Sequence, residues 1–125
     1  MKKFLLLIAL FMFANSSFAV TDNYLCSKYT KLRINSEEKV LAVGIRRVYT
    51  NSVETYVIGY GTPIKAWLNN IRIGSDLISK RRTLNCNGQR VGQIRVYDLS
   101  SFNIDTGLFL IRSADKEAST YIEIN

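Results

Sequence analysis

The segment from Ile64 to Phe102 has the sequence IKAWLNNIRIGSDLISKRRTLNCNGQRVGQIRVYDLSSF. At its centre, Asn87-Gly88 lies between two β-prone runs, directly after Cys86. A type I′ turn needs positive φ at both central residues, and Asn and Gly tolerate that conformation best. The segment therefore predicts a β-hairpin that turns at Asn87-Gly88.

The pairing register of this hairpin has two solutions. A two-residue loop places Leu84 opposite Val91. A shift by one residue places Leu84 on the face that carries Gly92 and Ile94, which gives a more apolar cluster but leaves Gly88 outside the usual position of a three-residue loop. The sequence leaves both registers open.

Consecutive basic residues interrupt two of the predicted strands. Lys80, Arg81 and Arg82 form one run, and Arg46 and Arg47 form a doublet. Such residues commonly discourage association at a sheet edge. Because side chains alternate along a strand, some of these charges also fall on the covered side, where they must pair or lie at the sheet margin. We predict these five residues as candidates for binding an anionic partner.

The N-terminal segment Met1–Ala19 has the three parts of a secretory signal peptide. Lys2 and Lys3 supply the basic part, an apolar run follows from Phe4 to Ala14, and small residues occupy the positions before a cleavage site after Ala19. The apolar run is too short for a comfortable membrane span, and no later stretch approaches the roughly 20 apolar residues that a span requires. We therefore predict cleavage and export, to the periplasm or to the cell surface and medium.

The remainder, residues 20–125, has the length of a single exported β domain. Export would bring Cys26 and Cys86 into an oxidising compartment, where two cysteines allow one intramolecular disulfide bond. Leu25 before Cys26 argues against a lipidated N-terminus. The whole chain carries a net charge of +7, and loss of Lys2 and Lys3 leaves 15 basic and 10 acidic residues, a charge of +5. Such a charge favours an anionic partner.

Runs rich in β-branched and aromatic residues, separated by turn residues, flank the central segment. These runs are Val40–Tyr49, Val53–Tyr60, Gly107–Ser113 and Ser119–Ile124. The sequence thus predicts a mainly β fold: a single small antiparallel sheet or barrel-like domain of six to seven strands, with one disulfide bond.

Two segments are harder to assign. Residues 62–70 begin with Thr62-Pro63, a helix-start signal, but then alternate as a strand does, and we favour the strand. The Trp67 side chain in this segment is expected to pack on the sheet. Asp22–Arg33 mixes polar with aromatic residues and is predicted as an irregular arm or short strand that Cys26 anchors.

The chain lacks the residues that most catalytic sites require. It contains no histidine, which excludes Ser/His/Asp and Cys/His sites and histidine-ligated metals. Its carboxylates show no glycosidase or calcium-loop spacing, and its glycines form no phosphate-binding loop. No nucleic-acid motif is present. We predict a protein that is not an enzyme and that has no cofactor, no metal and no nucleic-acid partner.

The central part of the chain resembles the surface-adhesin protein E family of small exported bacterial proteins. The likeness lies in the tryptophan-bearing strand Lys65–Trp67, the strand end Leu84–Cys86 and the closing pair Tyr97-Asp98, and it covers residues 40–102. The resemblance implies an antiparallel sheet and an adhesin-like protein that binds host matrix or serum proteins. This chain departs from the namesake in lacking a lipobox cysteine and a clear C-terminal helix.

The function that these observations predict is non-covalent binding of a macromolecular partner through a basic sheet face or edge. The partner would be a protein or an anionic component of the envelope or matrix. An alternative is a periplasmic inhibitor or immunity protein directed against a hydrolase or toxin. The sequence leaves the oligomeric state open.

Overall fold

The computed structural model describes residues 22–125, so the predicted signal peptide Met1–Ala19 and its cleavage site lie outside the described residues. Eight strands are present in the described part: β1 (Val40–Tyr49), β2 (Ser52–Gly59), β3 (Ile64–Leu68), β4 (Ile71–Ile73), β5 (Ile78–Cys86), β6 (Gln89–Asp98), β7 (Thr106–Ser113) and β8 (Lys116–Glu123). They form two four-stranded antiparallel sheets. Sheet A has the order β1-β2-β6-β5, and sheet B has the order β4-β3-β7-β8.

The predicted fold class is confirmed: the protein is mainly β and antiparallel, with one disulfide bond. The strand count is eight rather than six to seven, and the strands form two sheets. The choice of strand for residues 62–70 is also confirmed by β3. Asn69 and Asn70, with φ of 50° and 67°, make a tight turn into β4, a short strand that the sequence prediction had not separated from β3. Asparagine reaches this left-handed region more readily than most residues.

The central hairpin combines features of both predicted registers. Asn87 and Gly88, with φ of 53° and 78°, form the expected two-residue turn. Further from the turn the register shifts, so that Leu84 pairs with Gly92. Val91 is the extra residue of this β-bulge, because a bulge places two residues of one strand opposite one residue of the other. The turn therefore follows the first register, while the strands follow the second.

Gly92 of β6 pairs with Ile58 of β2, and a Cβ added at Gly92 would clash with the carbonyl oxygen of Val57. We expect Gly92→Ala to lower the free energy of unfolding by about 1–3 kcal/mol, because the two backbones must separate. Gly107→Ala is the matched control, since its Cβ would meet the ends of the Leu68 and Asn69 side chains rather than a backbone atom. Urea denaturation measures both, and a loss at position 92 no larger than at position 107 would contradict the prediction.

Residues 22–34 form a helix, α1, which lies on the outer face of sheet A. The prediction of an irregular arm or short strand over Asp22–Arg33 is therefore wrong. Leu25, Tyr29 and Leu32 recur at helical spacing and give the segment one apolar stripe. That three-residue stripe was too short to stand out among the polar residues of the segment.

The stripe of α1 completes a core on the outer side of sheet A. Its buried members are Leu25, Leu41, Tyr56, Ile58, Leu84, Cys86, Val91 and Ile94. The predicted Cys26–Cys86 disulfide is confirmed, and it fastens α1 to β5 with the two Cα atoms 5.6 Å apart. Lys28 strengthens the docking: its Nζ donates a hydrogen bond to the Tyr56 hydroxyl at 3.0 Å, and this bond raises the pKa of Lys28.

A second core lies between the two sheets. Its buried members are Val40, Val53, Val57, Ala66, Leu68, Ile73, Tyr97, Leu99, Phe109, Ile111, Ile122 and Ile124. The rings of Tyr97 and Phe109 meet at its centre, 5.3 Å apart between centroids. On one side β1 packs against β8. On the other side the short 3₁₀ helix Ser75–Leu77 links β4 to β5, and a cleft lies between the sheets.

Candidate binding surfaces

The five basic residues predicted from the sequence lie on the two outer strands of sheet A. Arg46 and Arg47 belong to β1, whereas Lys80, Arg81 and Arg82 belong to β5. Because β2 and β6 separate these strands, the two groups lie about 14 Å apart across the sheet. The structure therefore places them at opposite edges and does not join them into one patch.

Two of the five are paired with acidic residues of the same chain. Arg82 donates two hydrogen bonds to Asp22, at 2.7 and 3.0 Å, which raise the pKa of the Arg82 guanidinium. Arg46 Nε lies 3.6 Å from Glu54 Oε2, with only 10% of the Arg46 side chain exposed. Within residues 22–125, Arg46 Nη1 has no hydrogen-bond partner. These pairings leave Arg46 and Arg82 less available to a partner than the sequence suggested.

The other three predicted residues are exposed. Arg47 and Lys80 lie in the same row of sheet A, at opposite ends of that row. Arg81 points to the side of sheet A that faces sheet B, because it pairs with Arg95, and Arg95 pairs in turn with the buried Thr55. Arg47 and Lys80 therefore face one side of sheet A and Arg81 faces the other, and their role in binding stays a prediction.

The outer face of sheet B is a surface that the sequence did not reveal. No segment within residues 22–125 covers it, whereas α1 covers the corresponding face of sheet A. Trp67, Leu108 and Leu110 are half-buried on this face, and Tyr121 is 78% exposed. We call these four residues, together with Lys65, Arg72 and Arg112 around them, the outer B face. It presents apolar and aromatic groups at the middle of an uncovered sheet.

Trp67 is the centre of the outer B face. The guanidinium carbons of Arg112 and Arg72 lie 5.2 and 5.6 Å from the centroid of its ring. A guanidinium at this distance interacts favourably with the ring quadrupole. Arg112 also donates to Glu117 at 2.7 and 3.0 Å, while Lys65 is exposed beside Trp67 on the same strand. The expectation that Trp67 packs on the sheet holds only in part, because its surroundings are basic and open.

Sequence reasoning missed Lys65, Arg72 and Arg112 because each is a single charge in its own strand. The strands that carry them are adjacent only through the pairing of β3 with both β4 and β7. The one local signal was the two-residue spacing of Lys65 and Trp67, which places both side chains on one face of β3. Arg72 and Arg112 reach this surface only through the pairing of their strands with β3.

Neither a metal centre nor a membrane-spanning helix is found in the part of the chain that the structure describes. No three residues of the types His, Cys, Asp and Glu lie close enough together there to hold a metal ion. None of the described helices is long and apolar enough to cross a membrane. The side chains of the outer B face offer stacking, apolar burial and ion pairing to a partner.

Comparison with known proteins does not assign the chain to a family. No family model matches the chain, and no curated protein matches it significantly. Domain I10 of titin is a solved structure similar to the chain, with a TM-score of 0.39 and 13% sequence identity, over 67% of this chain and 99% of that one. The resemblance to the surface-adhesin protein E family stays a prediction.

Proposed function

We propose that the protein is an exported, non-enzymatic binding protein whose outer B face docks on an acidic protein surface. The observation that carries this proposal is the Trp67 ring held by Arg72 and Arg112 on a sheet face that no described segment covers. Tryptophan and arginine are enriched among the residues that dominate binding energy at protein interfaces. The disulfide bond supports the exported part of the proposal, since such bonds persist in oxidising compartments.

The positive charge of the outer B face favours a partner with an acidic surface. Among the described residues, Lys65 and Arg72 have no carboxylate within 4.0 Å, while Arg112 is paired with Glu117. Residues 20–125 also carry a net charge of +5, from 15 basic and 10 acidic residues. Carboxylates of a partner opposite Lys65 and Arg72 would gain Coulomb energy and steer the encounter. Leu108, Leu110 and Tyr121 would supply the apolar part of the contact.

The proposal predicts that the double charge reversal Lys65→Glu with Arg72→Glu weakens binding by at least about tenfold, because like charges across an interface repel. Stability should change by no more than about 0.5 kcal/mol, since both residues are exposed. The matched control is Arg47→Glu with Lys80→Glu, which makes the same charge change at the edges of sheet A. Partners are first captured with residues 20–125 from envelope and host-matrix extracts, and affinities and melting temperatures are then measured at low and high salt.

Each outcome of this experiment decides a separate point. Loss of binding in the outer B face variant alone supports the proposal, and weakening of wild-type binding by salt supports its electrostatic part. Loss in the control alone would move the docking site to the sheet A edges that the sequence predicted. Equal affinity of all three proteins would show that none of these charges contributes. Failure to capture any partner from either extract would overturn the binding function itself.

A further inference from the structure

A row of three paired residues runs from the core to solvent across the inner side of sheet A. Thr55, Arg95 and Arg81 lie directly opposite one another on β2, β6 and β5. Thr55 is fully buried, Arg95 is half-buried and Arg81 is exposed. Sheet B ends above this row with the three-residue strand β4. Arg95 therefore lies where the two sheets diverge, and it lines a cleft that is separate from the outer B face.

The cleft is small, and its walls combine an apolar side with an equally large polar one. Its volume is about 250 Å³, and Ile64, Ile73 and Ile78 supply much of its lining. Tyr97 and Arg95 lie on the sheet A side. Arg72 also lines the cleft, but its guanidinium lies over the Trp67 ring on the outer B face. Arg95 is thus the arginine whose guanidinium can contact a ligand in the cleft.

The Arg95 guanidinium is held in place by its neighbours. Nε donates to Gln93 Oε1 at 2.9 Å, and Nη1 donates to the Tyr97 hydroxyl at 3.3 Å. The Tyr97 ring is itself fixed in the core against Phe109. Arginine carries five N–H donors, so most of them stay available to an acceptor in the cleft. Such a pre-positioned planar group suits an oxyanion, because little side-chain freedom remains to be lost on binding.

The charge of Arg95 is not neutralised by the described part of the chain. No carboxylate there lies within 4.0 Å of it. Its direct cross-strand neighbour is Arg81, another cation, and like charges at directly opposite positions destabilise a sheet. A bound anion would reduce this repulsion, whereas an apolar ligand alone would leave it unchanged.

We propose that this cleft binds a carboxylate carried on a short apolar group. The carboxylate accepts hydrogen bonds from Arg95, and the apolar group packs against Ile64, Ile73 and Ile78. The cleft is smaller than pockets that take drug-sized ligands, so it accepts a group of the size of one side chain or a short acyl chain. Two sources supply this chemistry: the C-terminal residue of a peptide with an apolar side chain, and a short-chain fatty acid.

Nuclear magnetic resonance titration of ¹⁵N-labelled residues 20–125 distinguishes the sources. The probes are hexanoate, acetyl-Ala-Leu with a free carboxylate, and the same peptide as its carboxamide. We expect saturable shifts at Ser75, Ile78 and Arg95 with a Kd of about 1 mM for hexanoate, for the free-acid peptide or for both. Acetate and hexanol, which each lack one half of the chemistry, should bind at least about tenfold more weakly. Equal binding of acetate or of the carboxamide, or no saturation by either acid, would overturn the proposal.

A matched pair of variants tests the role of Arg95. Arg95→Gln should weaken binding of the better acid by at least about tenfold, because a charge-assisted bidentate contact is lost. Arg81→Gln removes the same charge from the facing strand, outside the cleft lining, and should change the Kd by less than about threefold. Equal losses would show a general charge effect and overturn the site.

Ser75→Phe keeps the test decisive if Arg95→Gln does not fold. Ser75 is exposed at the rim of the cleft, and a phenyl ring there obstructs the cleft while Arg95 stays in place. Loss of acid binding in this variant supports the site. Unchanged binding would show that the acid binds elsewhere.

Discussion

Replacing Cys26 and Cys86 together by alanine is expected to lower the free energy of unfolding by about 4 kcal/mol. The two cysteines are 60 residues apart in sequence, so the bond closes a long loop in the unfolded chain and removes much of its conformational freedom. A domain of ordinary stability has only about 5–15 kcal/mol in total. The variant should therefore retain a small part of its stability, and α1 should be the first element to leave the sheet.

Urea denaturation followed by circular dichroism measures this loss. Wild-type protein treated with a reducing agent is the matched control, because it breaks the same bond without removing either side chain. Agreement of the two within about 1 kcal/mol would assign the loss to the cross-link, since Cys86 also contributes a small buried surface. A decrease below about 1 kcal/mol in both proteins would contradict the prediction.

Phe109→Ala is expected to lower the free energy of unfolding by about 3–5 kcal/mol. Phe109 is fully buried between the two sheets and contacts the Tyr97 ring at 5.3 Å between centroids. Removing the ring forfeits its apolar burial and leaves a cavity that the paired strands on both sides cannot readily close. The result would be a variant close to the limit of cooperative folding.

Leu110→Ala is the control on the next residue of the same strand. Leu110 points to the outer B face and is half-buried, so its truncation should cost less than about 1.5 kcal/mol. Thermal and urea denaturation of the two variants measure the difference. Equal losses would contradict the assignment of alternate residues of β7 to the core and to the outer B face.

The parts of the fold that the sequence predicted depend on local patterns or on simple counting. The turn at Asn87-Gly88 follows from the φ preferences of two adjacent residues. The disulfide follows from the presence of two cysteines in a chain that the sequence predicts to be exported. The pairing of β2 with β6 has no such local signature, because the residues that meet across it, such as Val57 and Gln93, are distant in sequence. The division into two sheets could not be predicted for the same reason.

The candidate binding surfaces could also be predicted only in part, because they depend on contacts between residues that are distant in sequence. The basic run at Lys80 was correctly assigned to a strand, but whether a charge is free depends on what lies across the sheet. Asp22, at the start of the described helix, holds Arg82, and Glu54 on the neighbouring strand holds Arg46. Neither contact follows from residue spacing. Alternation along one strand gives the face of a residue only after the pairing of that strand is known.

The strand order of sheet A also has a kinetic consequence. Strand β6 lies between β2 and β5 in the sheet, although β3, β4 and β5 intervene between β2 and β6 along the chain. Loop-closure entropy must be lost before such a distant pair of strands gains any contacts, and proteins dominated by these pairings fold over milliseconds to seconds. Until β6 joins β2, the apolar stripe of α1 has no completed surface on which to pack, because Val91 and Ile94 are part of that surface. We therefore expect the helix that comes first in the described chain to be among the last elements to reach its native position.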